Sequence, residues 1–280
     1  MITISELALP EELVEAIFEA GNRKLVLVEG DDDQQVFETA FKKHLSKLSF
    51  FSCNGVTNLE VFLEKLLAIS ANRKYFGIRD SDFSSESIVN ESYSENSVLF
   101  YLRRFDIENY LLSPETIWQI IAIRHNEKKI AELNLNNSSE IAEKISNIAT
   151  KLQILTAADW LICEENATKE TDRVEYFTRG YSFENEALII QKTAQRLEIP
   201  TEIVSQKIAD KLQIIQTLFE TEDGLHSISD GKRLLHWICK EIDFGDENFF
   251  KRLLIDRLQF SPKNIPKNLI EIIEKRILLL

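Results

Sequence analysis

Four short apolar runs in the first hundred or so residues, three ending at a glycine or an acid and the fourth at Arg103-Arg104, mostly give way to a stretch with helical spacing. Lys24-Leu-Val-Leu-Val-Glu-Gly30 reads as a buried strand, and Val36, Phe37, Ala40 and Phe41 then recur as on one face of a helix over 33–45. Ser49 to Gly55 is a second strand and turn, after which Thr57 can cap a helix carrying Leu59, Phe62, Leu63, Leu66 and Leu67. Tyr75 to Asp82 and Ser97 to Leu102 supply the third and fourth strands, and Ile107 to Leu112 begins a helical segment near Pro114. Strands alternating with helices predict a parallel sheet joined by right-handed crossovers.

Beyond Pro114 the apolar spacing is almost entirely helical, in 116–123, 139–155, 184–197 and 202–219. The expected fold class is therefore α/β, a small parallel-sheet domain at 1–115 and a large, mostly helical region at 116–280 that packs around or beside the sheet. Residues 132–140, 164–173 and 221–224 are the expected loops. Only 8 Gly and 5 Pro in 280 residues agree with a helix-rich chain. Phe37, Phe41, Phe50 and Phe62 follow the apolar periodicity and read as core, so no base-stacking platform is invoked.

Charge and cysteine content exclude several function classes. The net charge of −13 rules out a surface that attracts nucleic acid everywhere, so a polynucleotide would have to meet a local basic patch or metal ions. Cys53, Cys163 and Cys239 are odd in number and widely spaced, which implies neither a disulfide framework nor a zinc site and fits a reducing cytosol. The first twenty residues carry acids where a signal peptide needs bases, and no apolar run is long enough to span a bilayer. A cytoplasmic chain with no membrane partner is expected. His44, His125, His226 and His236 form no HExxH pattern, and no GxSxG elbow is present.

The carboxyl ends of strands in an open parallel sheet share one edge, where ligands bind. On this reading Glu29, Asp80 and Asp82 lie together, and alternation directs both acids of Asp80-Ser-Asp82 to one side if strand geometry persists. Like-charge repulsion then either raises a carboxylate pKa or recruits a hard divalent cation. Acids at solvated strand ends are the plain alternative. The same alternation aims Arg79 away from the acids, so it is not placed in the site.

The ordered series Leu27-Val-Glu-Gly-Asp-Asp-Asp33, Ser52-Cys-Asn-Gly55, Arg79-Asp-Ser-Asp82 and Asp106-Ile-Glu-Asn-Tyr-Leu111 resembles a TOPRIM domain. More narrowly, it is similar to the single-chain TOPRIM proteins related to the overcoming-lysogenisation-defect nucleases, including the AriB effectors that accompany an ABC-type ATPase in anti-phage defence. The resemblance covers residues 24–115 well and the helical remainder weakly. It implies Glu29, Asp80 and Asp82 as catalytic and metal-holding acids for Mg²⁺ or Mn²⁺, with Asp33 and Glu108 as further metal ligands. Capping of the first helix is an equal alternative for Asp33, and an outward-facing helix acid is the alternative for Glu108.

The same resemblance extends to Gly231-Lys232 before a late helix, so that Lys232 is a catalytic candidate and, with Arg104, a phosphate contact. A lone Gly-Lys in a loop is the plain reading, and the P-loop spacing is absent. The implied activity is a metal-dependent endonuclease on RNA or DNA, transfer RNA among the substrates, acting as a toxic defence effector restrained by an ATPase partner. A homodimer is compatible, although no dimer stripe is evident. The opposing expectation is a catalytically degenerate TOPRIM scaffold or sensor that binds the ATPase.

Overall fold

The computed structural model describes residues 8–69, 74–169, 173–221, 223–260 and 265–279. The first residues of the amino terminus, Glu222 and the end of the 164–173 run, three of the positions interpreted above, lie outside these. The chain divides into two compact units, one of residues 1–103 with 252–280 and the other of 104–251.

The first unit contains α1 (Glu11–Ala20), β1 (Lys24–Val28), α2 (Asp31–Ala40), β2 (Leu48–Ser52), α3 (Val56–Ile69), β3 (Tyr75–Arg79), α4 (Glu86–Glu91) and β4 (Leu99–Tyr101). The strands form one sheet in the order β2-β1-β3-β4, every pairing parallel. The α/β class expected from the strand and helix rhythm is therefore present. β1 is central, and its residues Leu25, Val26, Leu27 and Val28 are buried, as a strand covered on both faces must be. On one face α1 and α3 bring Leu13, Leu59, Leu63 and Leu66 onto Leu25 and Leu27. Phe37, Phe41 and Phe50 are buried and stack on one another, while Phe62 is only partly buried against the core.

The second unit contains α5 (Pro114–Arg124), α6 (Glu127–Glu132), α7 (Ser138–Ala167), α8 (Glu186–Leu197), α9 (Thr201–Phe219), α10 (Gly224–Ile228) and α11 (Gly231–Glu241). α7 is the organising element: 30 residues long, it packs against α5, α8, α9 and α11 and buries Ile141, Ile145, Ile148, Leu152 and Leu155. It also runs through the start of the stretch expected to be a loop from residue 164. Asp159 on α7 takes the Phe177 N–H at 2.9 Å and the Arg233 guanidinium at 2.5 Å, so the charge of the buried Arg233 is met within the unit. Burial nevertheless pushes the Asp159 carboxyl up to about 6 against the pull of Arg233.

The division departs from the expected boundary at 115 in two ways. The first break comes at 103/104, and the second falls within α12 (Glu247–Phe260), so the chain's last segment belongs to the sheet unit. That segment is α13 (Lys267–Ile270) and its continuation Glu271–Ile277. Ile272, Ile273 and Ile277 are buried, Lys24 Nζ donates to the Ile277 carbonyl at 2.6 Å, and Glu274 meets Lys43 at 2.8 Å and His44 at 3.0 Å. A helix with one apolar stripe must cover it, and the sheet unit supplies the cover.

Two predictions follow from this packing. A Cβ on Gly77, in the middle of β3, would lie 2.9 Å from Leu99 Cδ1 and 3.0 Å from Leu63 Cδ2. Gly77→Val should therefore destabilise the fold by about 1–3 kcal/mol through overpacking, as urea unfolding would show. In the second unit His226 donates from Nδ1 to Asn109 Oδ1 at 2.9 Å, and burial, then Arg104, lowers its pKa from 6.5 to about 4. The unfolded chain takes up that proton more readily, so the stability contribution is complete above the unfolded value and is lost as pH falls toward the folded one. Between pH 7.5 and 5.0 the protein should lose about 2 kcal/mol more than His226→Gln does, and equal losses in urea titrations would refute this assignment.

Candidate functional site

The edge at the carboxyl ends of β1 and β3 is built by strand register. Val28 pairs with Ile78, so residues 29 and 79 follow as neighbours on adjacent strands. Side chains at matched positions of parallel strands leave the sheet on the same side. Arg79 consequently lies beside Glu29, with Nε 3.9 Å from Glu29 Oε1, and not turned away from the acids as alternation within β3 alone had suggested. Its guanidinium is further fixed by Glu60 and by the Tyr101 ring, 4.7 Å away.

Glu29 is held at both its backbone and its side chain. The chain leaving β2 turns through Asn54 and Gly55, both at positive φ, which lets Gly55 N–H reach back to the Glu29 carbonyl at 2.8 Å. The Cys53 N–H meets the Val28 carbonyl at 2.9 Å, and Asn58 Nδ2 donates to the Cys53 carbonyl at 3.0 Å. The Ser-Cys-Asn-Gly motif is thus the clamp that ends β2 and pins the residue after β1. On the side chain, Oε1 accepts the Asp80 N–H at 2.9 Å, which ties the first acid of the site to the third strand.

Asp80 and Ser81 are buried and Asp82 is half-buried at φ +45°. β3 ends at Arg79, so strand geometry does not continue through the acid pair. A left-handed turn at Asp82, a conformation aspartate tolerates better than most residues, places the second acid instead. Asp33 is buried in the first turn of α2 and its Oδ2 accepts the Gly30 N–H at 2.8 Å, so the capping role is present. It also stands near enough to act on Glu29 electrostatically.

Glu29 is thus met by the Asp80 backbone N–H and lies within electrostatic reach of Asp82 and Asp33. Burial first, then the charges of Asp82 and Asp33, raise the Glu29 carboxyl from 4.5 to about 7, while the Asp80 N–H and Arg79 oppose the rise. Burial and Glu29 likewise push the adjacent Cys53 thiol up to about 12, which leaves it an inert neighbour. Among the described residues no three His, Cys, Asp or Glu side chains are gathered closely enough to hold a metal ion by themselves. Mg²⁺ asks for less, since it keeps several waters and takes one or two protein carboxylates together with substrate phosphates. A half-buried glutamate disfavoured as an anion by two neighbouring acids fits that demand.

The remaining sequence candidates belong to the second unit. Glu108 is 1% exposed in the short turn Glu108–Tyr110, with Lys251 Nζ at 2.6 Å from one oxygen and Lys232 Nζ at 4.0 Å from the other. It is a buried acid flanked by two cations, not an outward-facing one. Arg104 donates to the Asn109 carbonyl at 2.7 Å, pairs with Asp223 at 3.0 Å and covers the Tyr110 ring. The sequence reading missed Arg79 at the first edge and Lys251 beside Glu108. Strand register was the signal for Arg79; nothing in the local sequence points from Lys251 to Glu108. No protein-family model matches this chain, and no curated protein matches it either.

Proposed function

We infer that the protein is a metal-dependent nuclease that hydrolyses phosphodiester bonds in nucleic acid. The observation that carries this reading is Glu29 at the end of β1, bonded to the Asp80 N–H and raised to about 7 by burial and by Asp82 and Asp33. Glu29, Asp80 and Asp82 would hold Mg²⁺ or Mn²⁺, with Asp33 supporting Glu29 from the first turn of α2. The ion supplies Lewis acidity toward a phosphoryl oxygen and a more acidic bound water. Where it holds no ion, Glu29, at about 7, is suited instead to hold and release a proton at its carboxylate. The TOPRIM resemblance implies Arg104 and Lys232 as phosphate contacts and Glu108 as a further acid; all three lie in the second unit. A defence effector restrained by an ATPase, with RNA or DNA as substrate, is the setting implied by the TOPRIM resemblance.

A second reading is a scaffold without catalysis. It is favoured by the protein's own provision for these acids, since Asp33 already caps α2 and Arg79 already stands beside Glu29.

The deciding experiment incubates the full chain with a mixed panel of transfer RNA, single strands and duplexes, with Mg²⁺, Mn²⁺ or chelator. Metal-dependent cleavage is expected, reduced by about 10²–10⁴-fold in Glu29→Ala and Asp80→Asn. Cleavage that survives Glu29→Ala would remove the proposed centre. No cleavage, together with no Mn²⁺ binding by calorimetry, would favour the scaffold.

A further inference from the structure

The second unit holds a buried polar joint that the reading above leaves unused. Asp106 is 2% exposed and lies two residues before Glu108. Its Oδ1 accepts the backbone N–H of Asn109 at 3.1 Å and the Asn109 amide at 2.9 Å. Its Oδ2 accepts the backbone N–H groups of Gly231 at 2.8 Å and Lys232 at 3.3 Å. Gly231 and Lys232 open α11, whose free N–H groups and positive dipole end favour an anion. Two side chains of the protein meet this helix start, Asp106 and the cap Asp230, whose Oδ1 accepts the Arg233 N–H at 3.0 Å. Four N–H groups are directed at the two oxygens of Asp106, while burial, then the charges of Glu108 and Asp230, raise its pKa well above the ordinary value.

The fit depends on glycine. A Cβ on Gly231 would lie 2.2 Å from Asp106 Oδ1 and 2.7 Å from the Asn109 nitrogen. Asn109 Nδ2 adds a bond to the Ser229 carbonyl at 2.8 Å, just ahead of the helix. One buried carboxylate therefore joins the turn that carries Glu108 to the helix start that carries Lys232.

We propose that Asp106 is a positioning residue: it docks the first turn of α11 on the 106–110 turn and so fixes where the Lys232 ammonium is presented beside Glu108. The proposal rests on the reading of Lys232 as a phosphate contact, and it gives that lysine a defined origin and direction. Removing a cap that contributed only stability would lower the unfolding free energy without changing how Lys232 is presented.

The test uses the full chain and the variants Asp106→Asn, Gly231→Ala and Lys232→Ala, with the two double variants that include Lys232→Ala. Asparagine keeps the shape of Asp106 but sets an NH₂ against N–H donors. Gly231→Ala leaves the carboxylate in place and forces the joint apart, and it carries the test if Asp106→Asn fails to fold by circular dichroism. Acylation of Lys232 by an N-hydroxysuccinimide ester, followed by peptide mass spectrometry, reads the lysine directly. The exposed Lys128 serves as the internal reference.

In folded variants the Lys232 rate should change by about threefold or more relative to Lys128. Cleavage should fall roughly tenfold in kcat, as misplacement of a catalytic group does. The double variants should be no slower than Lys232→Ala alone, because groups acting through one another are not additive. An unchanged Lys232 rate, or additive losses, would overturn the proposal. If the parent chain cleaves nothing, the nuclease reading falls, and the acylation rate still decides whether Asp106 fixes Lys232.

Discussion

The parallel pairing of β1 with β3 is the constraint on which the candidate site depends. With Val28 opposite Ile78, the backbone brings Glu29, Arg79 and Asp80 to one edge although fifty residues separate them in the chain. The α3 crossover between β2 and β3 closes the arrangement, because Leu59 and Leu63 pack against Gly77 and hold β3 where that register requires. A slip of one residue would turn every side chain of β3 to the other face, and the buried Phe76 and Ile78 make such a slip costly. The chemistry at the edge is therefore inherited from hydrophobic packing in the middle of the sheet.

Desolvation and charge act on that edge in the same direction. Glu29 is withdrawn from water and faces Asp82 and Asp33, and a single backbone N–H with one guanidinium at 3.9 Å does not offset this, since its pKa remains near neutrality. A carboxylate meant only to stabilise the fold would be expected to gain from its surroundings. This one is held at a disadvantage that a bound cation or a proton would relieve, a condition found more often at functional sites than elsewhere.

The parts of the fold that were legible in the sequence are those governed by local periodicity. The β1 run, the helix with Val36, Phe37, Ala40 and Phe41, and the acids after β1 and β3 could be read because strand and helix spacing announce them. Arg79 was misread because alternation within one strand says nothing about which residue of the next strand lies alongside. The acid pair reached its edge by a left-handed turn at Asp82, not by continuation of the strand, and turn conformations of a non-glycine residue leave little trace in sequence. The return of Glu271–Ile277 to the sheet unit was invisible for a related reason: an amphipathic helix shows that its stripe is covered, not by which element.

The two units hold their buried acids by different means. In the second unit the buried acids have named partners, Asp106 four N–H donors, Glu108 Lys251 and Lys232, and Asp159 Arg233 and the Phe177 N–H, yet burial still raises Asp106 and Asp159. Such contacts fix geometry. At the β1 edge burial, Asp82 and Asp33 raise Glu29 to about 7 against the Asp80 N–H and Arg79. The sheet edge thus keeps Glu29 near neutrality, while the joint beneath α11 sets where a helix begins.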